Sequence, residues 1–593
     1  MRKFWIVFLI IATVIIGGMG LMWRAVSNFE ESVSIAGGVL VWEVAGNYPE
    51  ELDTSFLGQL QGAGAMTLQD VIFALYRAAE DDRITGLVLD MRSLEVDWAK
   101  IEEIREAVLA FQGQDKPVIA YLDGAGTREY ALAVAADRII MSPEANIMVL
   151  GVTAELDFLK EVLGKLGMEA DFIHVGKYKS APERMTRTSP TEANREMIVS
   201  IVEDRFEILL DMLATGRDTD LETVSHWIDI GMFDTETALA EGLADTSLYY
   251  EEMLDLHFPE DEVTFLADYV LDPGSSPRSE HEVGVVFITG VIMPGESRFD
   301  RWQGKIAGSE TVVDDLRRMG EDSDIGAVIL RVDSPGGSAL ASDLIWREIR
   351  EVRKEKPIIV SMSGMAASGG YYVSCLADSI FADPGTLTGS IGVYAGKMSR
   401  TAMYEKIGVQ REFITRGRNA LLFSDEGTFT PGQRELFTGQ MERFYQRFLG
   451  KVAQGRDLEM DAVHAVAQGR VWTGRQGLHH NLVDELGGFR RSLDSAKFMM
   501  GLDLSQKVRV VSFGEELSML EKILLRSFRQ GGGLGTLAVH LAGGEAWGPW
   551  PWLGAVGPLP ELQNTLREDG TLAAVALLDG RPVAMAPFWL RVR

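Results

Sequence analysis

VIAYLDGAGTREYALAVAADRIIMSP (118–143) and IIVSMSGMAASGGYYVSCLADSIFADP (358–384) are two versions of one segment. Asp137 of the first matches Asp378 of the second, 241 positions later. The same offset pairs Gly151 with Gly392, Gly167 with Gly408, Gly176 with Gly417 and Pro190 with Pro431. Further on it drifts by two residues, to Gly216 with Gly455 and Asp245 with Asp484. Upstream, ITGLVLD (84–90) matches DIGAVIL (324–330). The chain is therefore two tandem copies of one domain.

Short β-branched runs such as GLVLD, PVIAYL, GAVILRV and PIIVSMS alternate with amphipathic stretches such as AKIEEIREAVLAF and ASDLIWREIREVRK. Strands that read as continuous apolar runs are buried on both faces and need covering helices, so each copy is predicted to be α/β. The first copy is assigned to 33–268 and the second to 283–504. The turn-rich YVLDPGSSPRSEHE (269–282) reads as a linker. Residues 505–593 match neither copy and form a C-terminal extension of open role. It holds a predicted hairpin, AAVALLDGRPVAMAPF, with Asp579-Gly580 as its turn.

After a three-residue tip (1–3), FWIVFLIIATVIIGGMGLMW (4–23) is an uncharged run long enough to cross a bilayer as one helix. Arg2 and Lys3 precede it, which places the amino terminus in the cytoplasm and the bulk on the extracytoplasmic side. The run is long for a cleaved signal peptide, and no A-x-A-like site follows it, so an uncleaved single-pass anchor is expected.

Composition excludes several classes. The 593 residues carry a formal net charge of -30, which argues against a nucleic-acid partner, since phosphate binding needs clustered Lys and Arg. The single cysteine, Cys375, rules out an intrachain disulfide, and its apolar surroundings mark a buried structural thiol. No Cys/His pattern has metal-ligand spacing, HExxH is absent, and none of the eight histidines sits in a nucleophile motif. No Walker-type loop is present, so neither a metal nor a nucleotide cofactor is called for.

Duplication lets one copy serve as a control for the other. In the second, Met365-Ala366-Ala367-Ser368-Gly369-Gly370 follows a strand and opens a helix, aiming a hydroxyl and backbone N–H groups into one space. Taken alone this is a weak signal that reads more readily as a helix cap. The first copy has Thr127, Arg128 and Glu129 there, so both glycines are lost. Gly336-Gly337, in RVDSPGGSALASD (331–343), are candidate oxyanion donors, or an ordinary strand-to-helix turn; the first copy has Val96 and Asp97. The base shows the opposite asymmetry. Lys179, in VGKYKSAPE (175–183), maps onto Ala420. Lys179 follows Thr127 by the interval that separates Ala420 from Ser368. Each copy thus keeps one half of a Ser–Lys pair, and a site shared between the copies would hold both. If the copies fold alike, position 420 is expected near Ser368 and position 179 near Thr127. A lysine activates a serine only when neutral, so its pKa must fall from about 10.4 by burial in an apolar pocket free of carboxylates.

Y-K-S-A at 178–181, S-P-G-G at 334–337, A-A-S-G-G-Y at 366–371 and T-G-S-I-G at 388–392 occur in the order found in signal peptide peptidase A, and the chain resembles the long, duplicated form of that family over roughly residues 1–500. The resemblance implies two ClpP/crotonase-like repeats, with Ser368 as nucleophile and Lys179 as general base from different repeats. It implies that Ser390 helps hold the lysine; the first copy has Val149 there. It further implies a homo-oligomer, a tetrameric bowl at the membrane, that digests cleaved signal peptides. Three rival readings are a crotonase-type enzyme acting on acyl-thioesters, a non-catalytic membrane scaffold, and a broader membrane-proteome protease.

Overall fold

The computed structural model describes residues 35, 37–52, 65–271, 279–300 and 304–513 and the strand Val583–Met585. The segment 4–23 and the Asp579-Gly580 turn lie outside the described residues. Among the described residues no helix is long and apolar enough to cross a membrane.

The first copy is built on a parallel sheet whose strands run, in order, Thr246–Ser247, Arg138–Met141, Val118–Leu122, Ile84–Leu94, Gly38–Gly46 and Val263–Phe265. The second repeats this order with Glu485–Leu486, Ser379–Ala382, Ile358–Ala367, Ile325–Ser334, Glu282–Thr289 and Arg509–Ser512. All of these pairings are parallel, and the central strands are buried on both faces, as their unbroken apolar runs require. A 26-residue helix recurs in each copy, Glu192–Arg217 and Pro431–Arg456, started by the side chains of Thr191 and Thr430 as N-caps.

Two sequence readings need correction. Arg509–Ser512 is the counterpart of Val263–Phe265, so the segment set apart from 505 onward does contribute to the second copy's sheet. Four residues are too few to show a period, which hid the match. The stretch read as linker begins inside the helix Leu266–Val270, where Tyr269 is fully buried and donates its hydroxyl to Asp81.

A third sheet joins the copies. Its order is Arg298–Asp300, Gly304–Gly308, Val291–Met293, Gly336–Ser338, Val583–Met585, Val393–Ser399 and Glu169–Val175. The last strand belongs to the first copy and pairs antiparallel with Val393–Ser399 over its whole length, Glu169 to Val175. This pairing carries the chain of the first copy onto the second.

A buried ion cluster locks the same interface. Arg331, in the second copy's sheet, is fully buried and donates to Glu50 (2.8 and 3.1 Å), Glu103 (2.6 and 3.1 Å) and Ser361 (2.8 Å). Both carboxylates come from the first copy. Removing one partner of such a cluster leaves the others charged in a low-dielectric interior. Arg331→Met should lower the free energy of unfolding by about 3–5 kcal/mol. Urea unfolding followed by fluorescence checks this; a change under about 1 kcal/mol would mean the cluster is already solvated.

Candidate active site

Ser368 sits where the strand Ile358–Ala367 gives way to the helix Gly369–Ser374. Its backbone has φ 56° and ψ −109°, a conformation that costs a non-glycine residue energy and is held by its surroundings. Ser368 N–H donates to Gly389 O at 2.8 Å, and Ser368 O accepts from Tyr372 N at 2.8 Å. The side chain makes no capping bond to the helix. The cap reading therefore gives way: the hydroxyl faces Lys179 instead.

Lys179 Nζ lies 2.8 Å from Ser368 Oγ and donates to Ser390 O and Ser390 Oγ, each at 2.9 Å. Lys179, Ser368 and Ser390 are all 0% exposed. Burial pushes the Lys179 ammonium well below the usual 10.5, and its three partners are neutral oxygens. The expectation that position 179 would lie by Thr127 is overturned. Because Glu169–Val175 pairs with Val393–Ser399, the chain after it enters the other copy's site. Ala420, expected beside Ser368, is exposed.

The glycine pair forms a strand, Gly336–Ser338, rather than a turn. Gly337 is packed so tightly that a Cβ there would lie 2.0 Å from Ile292 O. Gly336 N–H is already donated to Ser334 Oγ at 3.1 Å, which removes it from the candidate oxyanion donors. Gly337 N lies beside Gly369, 3.0 Å from where a Cβ of that residue would sit, so Gly337 and Gly369 line one space. Sequence reading missed Ser342, one helical turn beyond Ser338. It is buried, donates to Ser338 O at 3.0 Å, and its Oγ lies 2.7 Å from that same Cβ position. The i, i+4 spacing of two serines was the available signal.

In the first copy the corresponding space is filled. Glu129, at the place of Gly370, accepts from Leu94 N (2.7 Å) and Gly126 N (3.0 Å). Thr127 Oγ1, at the place of Ser368, accepts from Leu150 N at 3.0 Å. Both side chains are spent on backbone N–H groups. Cys375 is buried, and burial pushes its thiol up to about 12, in keeping with a structural role.

The family model for peptidase family S49 matches residues 110–258 and 350–503, once in each copy. The chain belongs to peptidase family S49. It is 34% identical to "Serine protease SPPA, chloroplastic" of Arabidopsis thaliana over 500 residues, covering 82% of this chain and 73% of that one. It is 32% identical to "Protease 4" of Haemophilus influenzae over 533 residues, covering 84% and 82%. Among solved structures, a mutant of the 1510-N membrane-bound stomatin-specific protease in complex with a substrate peptide is 16% identical, with 42% of this chain and 98% of that one covered at a TM-score of 0.25. As a long S49 chain of the signal peptide peptidase A type, the protein is a serine protease. The acyl-thioester and scaffold readings fall with that assignment.

Proposed function

We propose that this S49 protease is a membrane-anchored endopeptidase with a Ser–Lys dyad, Ser368 and Lys179, acting on cleaved signal peptides and similar apolar peptides. The observation that carries the dyad is the buried 2.8 Å contact between Lys179 Nζ and Ser368 Oγ. A neutral amine has two N–H donors and one lone pair. Ser390 O and Ser390 Oγ take the two donors, which leaves the lone pair for the Ser368 hydroxyl proton.

In this reading Ser368 Oγ attacks the scissile carbonyl carbon as its proton passes to Lys179 Nζ. The oxyanion is held by Gly369 N–H and Gly337 N–H, fixed donors in a buried site. The C–N bond then breaks, the lysine ammonium returns the proton to the leaving amine, and an acyl-serine remains. Water attacks it by the same proton path and regenerates the serine. No metal or cofactor takes part in these steps.

The substrate lies extended between Gly336–Ser338 and Val393–Ser399, taking the place that the chain's own Val583–Met585 fills in the structure. Support comes from Val583–Met585, which runs antiparallel to Gly336–Ser338 in that gap and pairs Val583 with Tyr394. Backbone ladders bind peptides irrespective of sequence, and side-chain pockets select among them. Beside the gap, Val291 and Tyr394 pack with Phe172, Ala181 and Met293 into an apolar cluster suited to apolar side chains. The anchor rests on residues 4–23, which place the protease in the cytoplasmic membrane with its bulk on the extracytoplasmic side. The assembly is a homo-oligomer, a tetramer by family resemblance.

A peptide panel tests the substrate class. Signal-peptide-like apolar peptides should be cut with kcat/KM at least about tenfold above matched polar peptides, roughly 1.4 kcal/mol of discrimination. Mass spectrometry of the fragments reads the cut sites. Equal rates across the panel would favour the broader membrane-proteome protease.

A further inference from the structure

Ser390 supplies two of the oxygens that face Lys179 Nζ, yet its own backbone is strained, with φ 52° directly after Gly389 at φ 79°. Such a conformation persists only where the surroundings hold it. Within the second copy, Leu387–Gly389 is paired on both sides, parallel to Ile358–Ala367 and antiparallel to Val471–Thr473. The entrance to this strand is held from the first copy. Gly385 is buried, its N–H donates to Glu102 Oε2 and its C=O accepts from Arg205 Nη2, each at 2.8 Å. Glu102 lies on the helix Trp98–Gln112 and Arg205 on the helix Glu192–Arg217, so two separate elements of the first copy close on one residue. Both side chains are buried. The grip requires glycine, because a Cβ at 385 would sit 2.8 Å from Glu102 Oε1.

From Gly385 the chain runs through Thr386, whose hydroxyl donates to Ser363 O at 2.8 Å, into Leu387–Gly389. Gly389 O accepts the Ser368 N–H, and Ser390 follows at once. A shift at Gly385 therefore reaches Ser368 through Gly389 O and Lys179 through Ser390. The first copy lacks the grip. Glu144, exposed, stands at the place of Gly385 at the offset of 241. Phe444 stands where the other copy has Arg205, at the offset that pairs Gly216 with Gly455. Grip and dyad thus occur together, at one of the two sites.

We propose that Glu102 and Arg205 are positioning residues for the dyad: the first copy delivers Lys179 and, by gripping Gly385, also sets the place of the Ser390 that receives it. This rests on the dyad reading and adds how docking of the copies assembles both sides of the lysine site at once. Backbone groups buried at an interface need partners, and partners on a second body fix position as well as satisfy the bond. Burial pushes the Glu102 carboxyl up to about 8, so at neutral pH it accepts the Gly385 N–H as a mostly uncharged group, which glutamine reproduces.

Peptide kinetics and fluorophosphonate labelling of the full chain in detergent test this. Glu102→Leu strips the acceptor and Arg205→Met the donor. Each should lower kcat by about ten- to a hundredfold, the range for reacting groups misplaced by up to about 1 Å. KM should stay within about threefold of wild type, since the grip acts on the reacting groups rather than on the peptide. The rate constant for labelling Ser368 should fall with kcat. Glu102→Gln restores the acceptor and should return both rates to within about threefold of wild type. A merely structural role behaves differently: fewer chains label, but those that do label at the wild-type rate, and that result overturns the proposal. A loss in Glu102→Gln equal to that in Glu102→Leu overturns it too. Should either larger change prevent folding, Gly385→Ala decides, since its one added carbon crowds Glu102 Oε1 and leaves both helices intact; a wild-type rate there counts against the grip. If Lys179→Met is inactive while the grip variants keep the wild-type rate, the dyad stands and the positioning role is lost. If Lys179→Met is active, both fall.

Discussion

Ser368→Ala lowers peptide hydrolysis by at least about 10⁴-fold, because the covalent path is lost and only binding and the oxyanion donors remain. The loss is chemical rather than structural. Alanine keeps the backbone bonds to Gly389 and Tyr372, so unfolding should move by no more than about 1–2 kcal/mol. Ser368→Gly separates the two effects further. At φ 56° and ψ −109° glycine meets little steric resistance, so this variant should be equally inactive yet unfold at a higher temperature than Ser368→Ala. Activity within about tenfold of wild type in either variant would remove Ser368 from the mechanism.

Lys179→Arg and Lys179→Met lower kcat/KM by about 10³-fold or more, and by similar amounts. Arginine keeps the positive charge but stays protonated, so it cannot take the serine proton. A base acting by charge alone would tolerate arginine far better than methionine. The wild-type pH dependence follows from burial. Burial lowers the lysine pKa from 10.5, so the neutral amine, the active form, accumulates at lower pH than it does in water. kcat/KM should rise with pH through that lowered value and then level off. Stability moves in the same direction. Between the lowered folded pKa and 10.5 the unfolded chain binds more protons than the folded one, so this residue's contribution to stability rises with pH across that window.

The site was largely legible because the chain carries its own control. Thr127 against Ser368 and Lys179 against Ala420 marked the two halves without any other sequence. What sequence could not give was the direction of the connection. Register along the chain put position 179 with Thr127, whereas Glu169–Val175 crosses to pair with Val393–Ser399 and delivers Lys179 to Ser368. Strand pairing between distant segments leaves no periodic trace in either one. The same holds for Arg331, Glu50 and Glu103, which look like ordinary charged residues until the copies meet and bury them. Gly336 and Gly337 were indistinguishable as a dipeptide; only the Ser334 hydroxyl, which takes the Gly336 N–H, tells them apart. The strand Arg509–Ser512 was missed because four residues are too short for a pattern to appear, whereas Val583–Met585 falls in the second arm of the predicted hairpin AAVALLDGRPVAMAPF, and only its pairing with Gly336–Ser338 and Val393–Ser399 was hidden.

The central claim, a neutral buried lysine that activates Ser368, is tested most directly by the rate at which a fluorophosphonate modifies the full-length enzyme as a function of pH. The adduct should map to Ser368, and the second-order rate constant should climb with pH to a plateau, its midpoint well below 10.5. Lys179→Met should lose that climb together with most of the rate. A wild-type profile that is flat from about pH 5 to pH 10, or unchanged by Lys179→Met, would contradict the account.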